Sequence, residues 1–263
     1  MKYHFLPTAH KPLRVAVLVF ALLLSACTRT PNDAPSEDPF EKINRPIYLF
    51  NAGFDTYLLR PVAVGYEFIT PSFFRIGVSN FFDNLTYPVT IVNSFLQGKI
   101  AQGSQDTGRF LLNSTFGLAG VLDPATVVGL SYNDEDFGQT FSVWGVPQGP
   151  YLVLPLLGPS TITSAAGLLA NSQVNPLLQW PASSVRSKLF IAWTVESRQT
   201  LLAIDDVVRE SFDPYLFIRE SYLQNRRFLI HDGKLPDGGF DNEFDSEFDN
   251  LEFTQPAPRA SKP

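Results

Sequence analysis

Reactive side chains are scarce in this chain. Of 263 residues, three are His, one is Cys and one is Met. His4 and His10 lie within the first ten residues, which leaves His231 alone in the body. Zinc centres built from Cys and His are excluded, and so are Cys–His nucleophilic pairs. No Gly-x-x-x-x-Gly-Lys-Ser/Thr phosphate loop and no Gly-x-Ser-x-Gly elbow occurs. Charge is also sparse, at 17% of residues against a typical ~25%. From Phe137 to Val185 it vanishes: forty-nine consecutive residues include no Asp, Glu, Lys, Arg or His. That run is long enough to cross a bilayer twice as helix, at roughly 20 residues per span. Six prolines (Pro147, Pro150, Pro155, Pro159, Pro176 and Pro181) and five glycines interrupt it. Broken backbone survives at membrane depth only where protein buries it or where it lines a wet cavity. Two readings stand: a wall held in or against a membrane, facing itself or a polar path, or the Pro-rich apolar core of a soluble domain.

What is present starts with an address. Met1 to Arg14 contains Lys2, Lys11 and Arg14 and no acid, and Val15 to Leu24 is apolar. Leu24-Ser25-Ala26-Cys27 follows. A basic start, a short apolar centre and small residues before a cut site make residues 1–27 a signal peptide, not a permanent span. The ending resembles a bacterial lipobox, with Cys27 the lipid attachment and first mature residue; Thr28 after it points to the outer membrane. Several acyl chains anchor firmly, since each buried CH₂ contributes about 0.8 kcal/mol. Three bases leave with the signal, so the remaining chain has 17 basic and 26 acidic residues. A net charge of −9 argues against nucleic acid and against steering to anionic head groups.

Residues 28–37 are polar and read as a flexible tether. Asp38-Pro39-Phe40-Glu41 has the start signature of a helix, with Asp38 as cap. Phe40, Ile43, Ile47, Phe50, Phe54 and Leu58 step by three and four, one helical face, with Asn44, Asn51 and Asp55 off that stripe. Helices are expected near Ser72–Phe82, Pro88–Leu96 and Ile100–Thr115, with Gln97-Gly98 as a stop. Phe110 to Leu130 reads as helix, break and loop. A long helix from Ser183 or Ser184 to about Val208, and another from Asp213-Pro214 to about Ile230, complete a mainly α body. Tyr151–Leu157 is the best strand or hairpin-arm candidate. From 232 to 263 the chain is acidic. Phe240, Phe244 and Phe248 recur there at i, i+4; the segment is either a disordered solubilising tail or an amphipathic helix for a partner groove.

The body carries an ordered set of short motifs. They are Arg60-Pro61-Val62-Ala63, Gly77-Val78-Ser79-Asn80-Phe81-Phe82-Asp83-Asn84-Leu85, Asn93-Ser94-Phe95-Leu96-Gln97-Gly98 and Arg109-Phe110-Leu111-Leu112-Asn113-Ser114. Glu135-Asp136-Phe137-Gly138-Gln139-Thr140, Gly149-Pro150-Tyr151-Leu152-Val153-Leu154-Pro155 and Asp213-Pro214-Tyr215 follow. After a lipobox, this series resembles the MlaA (VacJ) family of outer-membrane lipoproteins, over about Asp38 to Ile230. The resemblance implies that 38–231 form a helical ring-like domain with little or no sheet, embedded in the inner leaflet of the outer membrane and pierced by an amphipathic channel. It implies that misplaced phospholipid leaves the outer leaflet through that channel for a soluble periplasmic carrier (MlaC-like), that a trimeric porin is a companion, and that no cofactor or covalent chemistry is involved. Where family members often read Gly-Pro-Ser-x-Leu-Arg-Asp, this chain has Gly158-Pro159-Ser160-Thr161-Ile162-Thr163-Ser164 and lacks the basic–acidic pair.

Moving a charged head group through hydrocarbon needs polar partners along the path. Asn44, Asn80, Asn84, Asn93, Asn113 and Gln97 are candidate wall residues; each is also a candidate cap or backbone bracket. Arg60, Arg109, Arg219 and Arg227 are either phosphate contacts or internal partners of Asp55, Asp123, Asp213 and Glu220. Gly138, Gly145, Gly149 and Gly158 are hinge or turn candidates in a loop or hairpin. Two rival functions remain: a porin-binding adaptor that transports nothing, and a hydrolase using the clustered carboxylates of Asp134, Glu135 and Asp136.

Overall fold

The computed structural model of the protein describes residues 38–234; the signal peptide, the tether and the Phe-rich tail from 235 lie outside them. Its body is mainly helical, with a single two-stranded sheet among the described residues. The first helix, α1 (Glu41–Phe54), runs through a five-residue π turn (Asp55–Leu59) straight into α2 (Arg60–Ile69). The π turn has a local cause. Pro61 has no N–H to give, and the Arg60 N–H bonds back five residues to the Asp55 carbonyl instead of four. Phe40 occupies the N-cap position of α1, so the helix opens two residues later than an Asp38 cap implies.

Next come α3 (Ser72–Thr86), α4 (Pro88–Leu96) and α5 (Ile100–Thr115), then a short α6 (Pro124–Val127) capped by Asp123. Helices α4 and α5 have the bounds expected from Pro88 and from the Gln97-Gly98 stop, and Gly98 adopts φ +78°. In the charge-free run, α7 (Phe137–Val143) is capped by Asp136, which accepts from the Gln139 N–H. The antiparallel strands β1 (Tyr151–Leu154) and β2 (Gly158–Thr161) pair Tyr151 with Thr161 and Leu154 with Gly158. After them come α8 (Ile162–Val174), capped by Thr161, and α9 (Pro176–Gln179). None of these is a span: among the described residues no helix is long and apolar enough to cross a membrane. The expected helix from Ser183 to Val208 is broken. It is α10 (Ser183–Thr200), one 3₁₀ turn (Leu201–Ile204) and α11 (Asp205–Glu210), because Asp205 is drawn to Arg198 and Arg60, both at 2.8 Å. The last helix, α12 (Pro214–Ile230), starts on the Asp213 cap.

Packing neighbours close into a circuit within this body. β1 lies on α1, β2 on α12, α12 on α7, α7 on α4, α4 on α3, α3 on α10 and α10 on α2. One small apolar cluster, Tyr151, Val153 and Tyr215 with Ile47, Tyr48, Leu216, Tyr222 and Leu223 around it, seats the hairpin between α1 and α12. Arg45 stacks 4.5 Å above the Tyr215 ring while binding both oxygens of the capping Asp213 at 3.2 and 2.8 Å. A backbone contact joins α7 to α8: a Cβ on Gly167 would lie 2.4 Å from the Gly138 nitrogen.

Polarity is inverted relative to an ordinary globule. Among the described residues, nineteen polar or charged side chains are buried, against nine apolar ones. Long apolar side chains lie outside, including Tyr57, Phe68, Phe73, Phe116, Val127 and Phe212. Many of these side chains are more than half exposed, the residue types that a globule in water usually covers.

Candidate functional site

A shallow cleft, about 280 Å³ with the open solvent at its mouth included, lies between α3, α5, the cap of α6 and the segment leading to α7. It is lined by Asn80, Asp83, Asn84, Tyr87, Arg109, Asn113, Asp123 and Tyr132. Helical spacing assembles it: Asn80, Asp83, Asn84 and Tyr87 fall on one face of α3 and its end, and Arg109 and Asn113 are one turn apart on α5. Glycine makes room. Gly120, at φ +95°, lies so close that a Cβ there would meet the Asn84 Cβ at 2.3 Å.

The floor is rigid. Arg109 donates to Asp123 (2.6 Å), Thr126 (2.9 Å) and the Leu130 carbonyl (2.6 Å). Asn113 donates to Asp123 at 2.9 Å and accepts from the Ala125 N–H at 3.0 Å. Burial opposes ionisation of Asp123, but hydrogen bonds from Thr126, Asn113 and Arg109 outweigh it and hold its pKa below the ordinary value. Tyr87 donates to the fully buried Asp106 at 2.8 Å, which also accepts from Ser94 and Asn133.

The rim differs. The Asp83 carboxylate has no hydrogen bond or ion pair among the described residues, and the side chain is open to solvent; only its backbone carbonyl accepts, from the Thr86 hydroxyl. Even so, desolvation by the surrounding walls, then Glu196 and Asp134, lift its pKa to about 6 against the pull of Arg109. Asp134 and Tyr132 behave alike: both are solvent-accessible, and both are raised chiefly by desolvation. Accessible groups that are still poorly hydrated mark a concave, water-reachable wall. Glu196 lies buried on α10, raised by burial and held by Ser79 and Ser197.

Of the predicted wall residues, Asn80, Asn84 and Asn113 meet in this cleft. Asn44 and Asn93 do not. Asn93 donates to the Val89 carbonyl (2.8 Å) and accepts from Thr140 (2.6 Å), with Gln97 nearby reaching Glu135 at 2.8 Å. Asn44 brackets β1: its amide donates to the Tyr151 carbonyl (3.0 Å) and accepts from the Val153 N–H (2.9 Å). Two turns later Asn51 repeats the clasp on the Leu154 carbonyl (2.9 Å) and the Leu156 N–H (2.8 Å). Thus α1 supplies the free edge of the hairpin with side-chain partners.

Three of the four arginines, Arg60, Arg109 and Arg219, are internal partners of acids. Arg109 binds Asp123 and Arg219 binds Glu220, both within the candidate set of acids, whereas Arg60 binds Asp205, and Asp55 and Asp213 are taken by Arg198 and Arg45. Arg227 is exposed, while its neighbour Arg226 is buried on Asp136. Among the glycines, Gly145, Gly149 and Gly158 have positive φ and shape the turns around the hairpin. Gly138 is a packing contact: a Cβ would meet Arg226 Nη2 at 2.4 Å. Sequence reasoning passed over Asp83, Tyr87 and Tyr132. The three-and-four spacing from Asn80 signals the first two; Tyr132, on a segment without regular structure, gives no such signal.

The decisive comparison is with protein families. Residues 36–229 match the model described as MlaA lipoprotein. The chain belongs to this family. The MlaA relative named intermembrane phospholipid transport system lipoprotein from Escherichia coli (strain K12) is 36% identical over 234 residues, covering 85% of this chain and 91% of that one. The relative of the same name from Haemophilus influenzae is 29% identical over 228 residues, covering 84% and 91%. A solved structure described as "Structural basis for maintenance of bacterial outer membrane lipid asymmetry" superposes with a TM-score of 0.65 at 35% identity, over 73% of this chain and 98% of that one. The MlaA fold is therefore shared over nearly the whole described body.

Proposed function

We propose that this chain is an outer-membrane lipoprotein, anchored through Cys27 on the periplasmic side, that removes misplaced phospholipid from the outer leaflet. The lipid passes through an amphipathic path in the body to a soluble periplasmic carrier, beside a trimeric porin. The names of the MlaA relatives and of the solved structure support the reading. The observation that carries it is the inverted polarity: a greasy exterior around buried amides, hydroxyls and paired charges. An exterior of that kind is stable in acyl chains, and the polar interior offers a head group hydrogen bonds in place of the water it leaves.

The hydrolase reading has weak support. Glu135 is held by Lys99 and Asp136 by Arg226, so two of the three clustered carboxylates are committed to structure. Deleting the gene while leaving the other envelope components intact tests the proposal. Surface-exposed phospholipid rises and is restored by the wild-type chain; an unchanged outer leaflet contradicts the proposal and favours the adaptor.

A further inference from the structure

Resting on that transport reading, we propose that the cleft between α3 and α5 is a head-group site for amine-bearing, zwitterionic phospholipids, and that Asp83 discriminates them from anionic ones. Size comes first. The cleft is shallow and open: about 280 Å³ of space lies between its walls with the solvent at its mouth included. A site of that shape engages the polar tip of a head group at its mouth and cannot enclose two acyl chains. The loop that closes the cleft carries exposed Leu118, Val121 and Leu122, apolar surface beside a polar hole.

Charge comes second. Asp123 is fully committed to Arg109, Asn113 and Thr126. Arg109 uses only its two terminal nitrogens, so its Nε–H has no partner among the described residues. The Asp83 carboxylate has none either. The walls therefore present one unspent carboxylate and one unspent guanidinium N–H, a pairing that complements an ammonium and a phosphodiester on the same molecule. Tyr132 adds an aromatic ring to the cleft, which already attracts the Arg109 guanidinium at 5.7 Å. An anionic head group brings no cation to Asp83. It meets instead a site where Glu196 from α10, Asp134 before α7 and Asp123 at the α6 cap all add negative charge, with Arg109 from α5 alone opposing them.

The test uses the full acylated chain in detergent, incubated with mixed micelles of equimolar phosphatidylethanolamine and phosphatidylglycerol, and reads the co-purified lipids by mass spectrometry. The wild type retains phosphatidylethanolamine over phosphatidylglycerol by about tenfold, the scale of one charge-assisted hydrogen bond. Phosphatidylethanolamine acetylated on its amine loses that advantage. Asp83→Asn brings the ratio to that of the input, and Asp83→Glu keeps it. Should Asp83→Asn fail to fold, the wild type serves alone: its preference falls between pH 7.5 and pH 5 as Asp83 takes up a proton. A wild type that retains both lipids in the input ratio, or a preference indifferent to acetylation, to Asp83→Asn or to pH, overturns the inference and leaves the transport reading standing. A wild type that retains no lipid at all overturns both.

Discussion

Removing the Asn51 amide tests how the hairpin is held. Asn51→Ala deletes two hydrogen bonds, to the Leu154 carbonyl and from the Leu156 N–H. Neither group is deeply enclosed, so each bond contributes about 0.5–1.5 kcal/mol net, and the hairpin tip loses about 1–3 kcal/mol. The tip has little reserve, because Leu156 sits at φ +63°, a left-handed conformation costing roughly 1–2 kcal/mol in a residue with a side chain. At 1.4 kcal/mol per tenfold, local opening becomes about 5- to 150-fold more frequent. Asn44→Ala is more severe. Its partners, the Tyr151 carbonyl and the Val153 N–H, belong to the buried cluster, and stranding both costs about 2–6 kcal/mol. Amide hydrogen exchange on the purified chain in detergent reads both variants residue by residue. Protection is expected to fall at 151–161 and to stay unchanged in α5, which is not among the helices that seat the hairpin. Unchanged exchange at Leu156 and Val153 in both variants refutes the side-chain clasp as the restraint.

Asp136→Ala strips the cap from α7 and leaves the Arg226 guanidinium, 8% exposed, without its anion. A loss of about 3–5 kcal/mol is expected, visible in chemical denaturation. Gly167→Ala forces a Cβ into the Gly138 backbone and should separate α7 from α8, with a large drop in melting temperature; a silent Gly167→Ala contradicts that contact. Asp83 and Asp136 act with opposite signs against pH. Asp136, held below its ordinary pKa by Arg226 against its own burial, stabilises above the carboxylate range, and that contribution is lost as acid titrates it through its lowered value. Asp83 is raised from 3.8 to about 6, so ionising it costs the folded state progressively across that window. Asp83→Asn should therefore raise the melting temperature at pH 7.5 and leave it unchanged below about pH 4.

Local signals carried much of this architecture into the sequence. Pro88, Gln97-Gly98 and Asp213-Pro214 set helix ends with side chains that act within a turn, and the observed bounds of α4, α5 and α12 follow them. Helices α7 and α8 are hard to read in the sequence because the charge-free run has no polar stripe to mark a face, although Asp136 and Gln139 form a start signal. Breaks set by distant partners were invisible: nothing local shows that Asp205 ends α10 by binding Arg60, 145 residues away. The candidate cleft was half legible for the same reason. Chemistry makes Asn44, Asn80, Asn84, Asn93 and Asn113 equal candidates, yet only Asn80, Asn84 and Asn113 line the cleft, while Asn44 serves the hairpin and Asn93 bonds Thr140, because only the tertiary fold decides which partner an amide meets.

Hydroxyl-radical footprinting of the protein in native outer-membrane vesicles tests the inverted polarity most directly. The account predicts oxidation of Tyr132 in the wet cleft and protection of Phe68 and Phe73, which are 89% and 76% exposed on the bare protein and covered by acyl chains in the membrane. Oxidised Phe68 and Phe73 beside an unlabelled Tyr132 would contradict it.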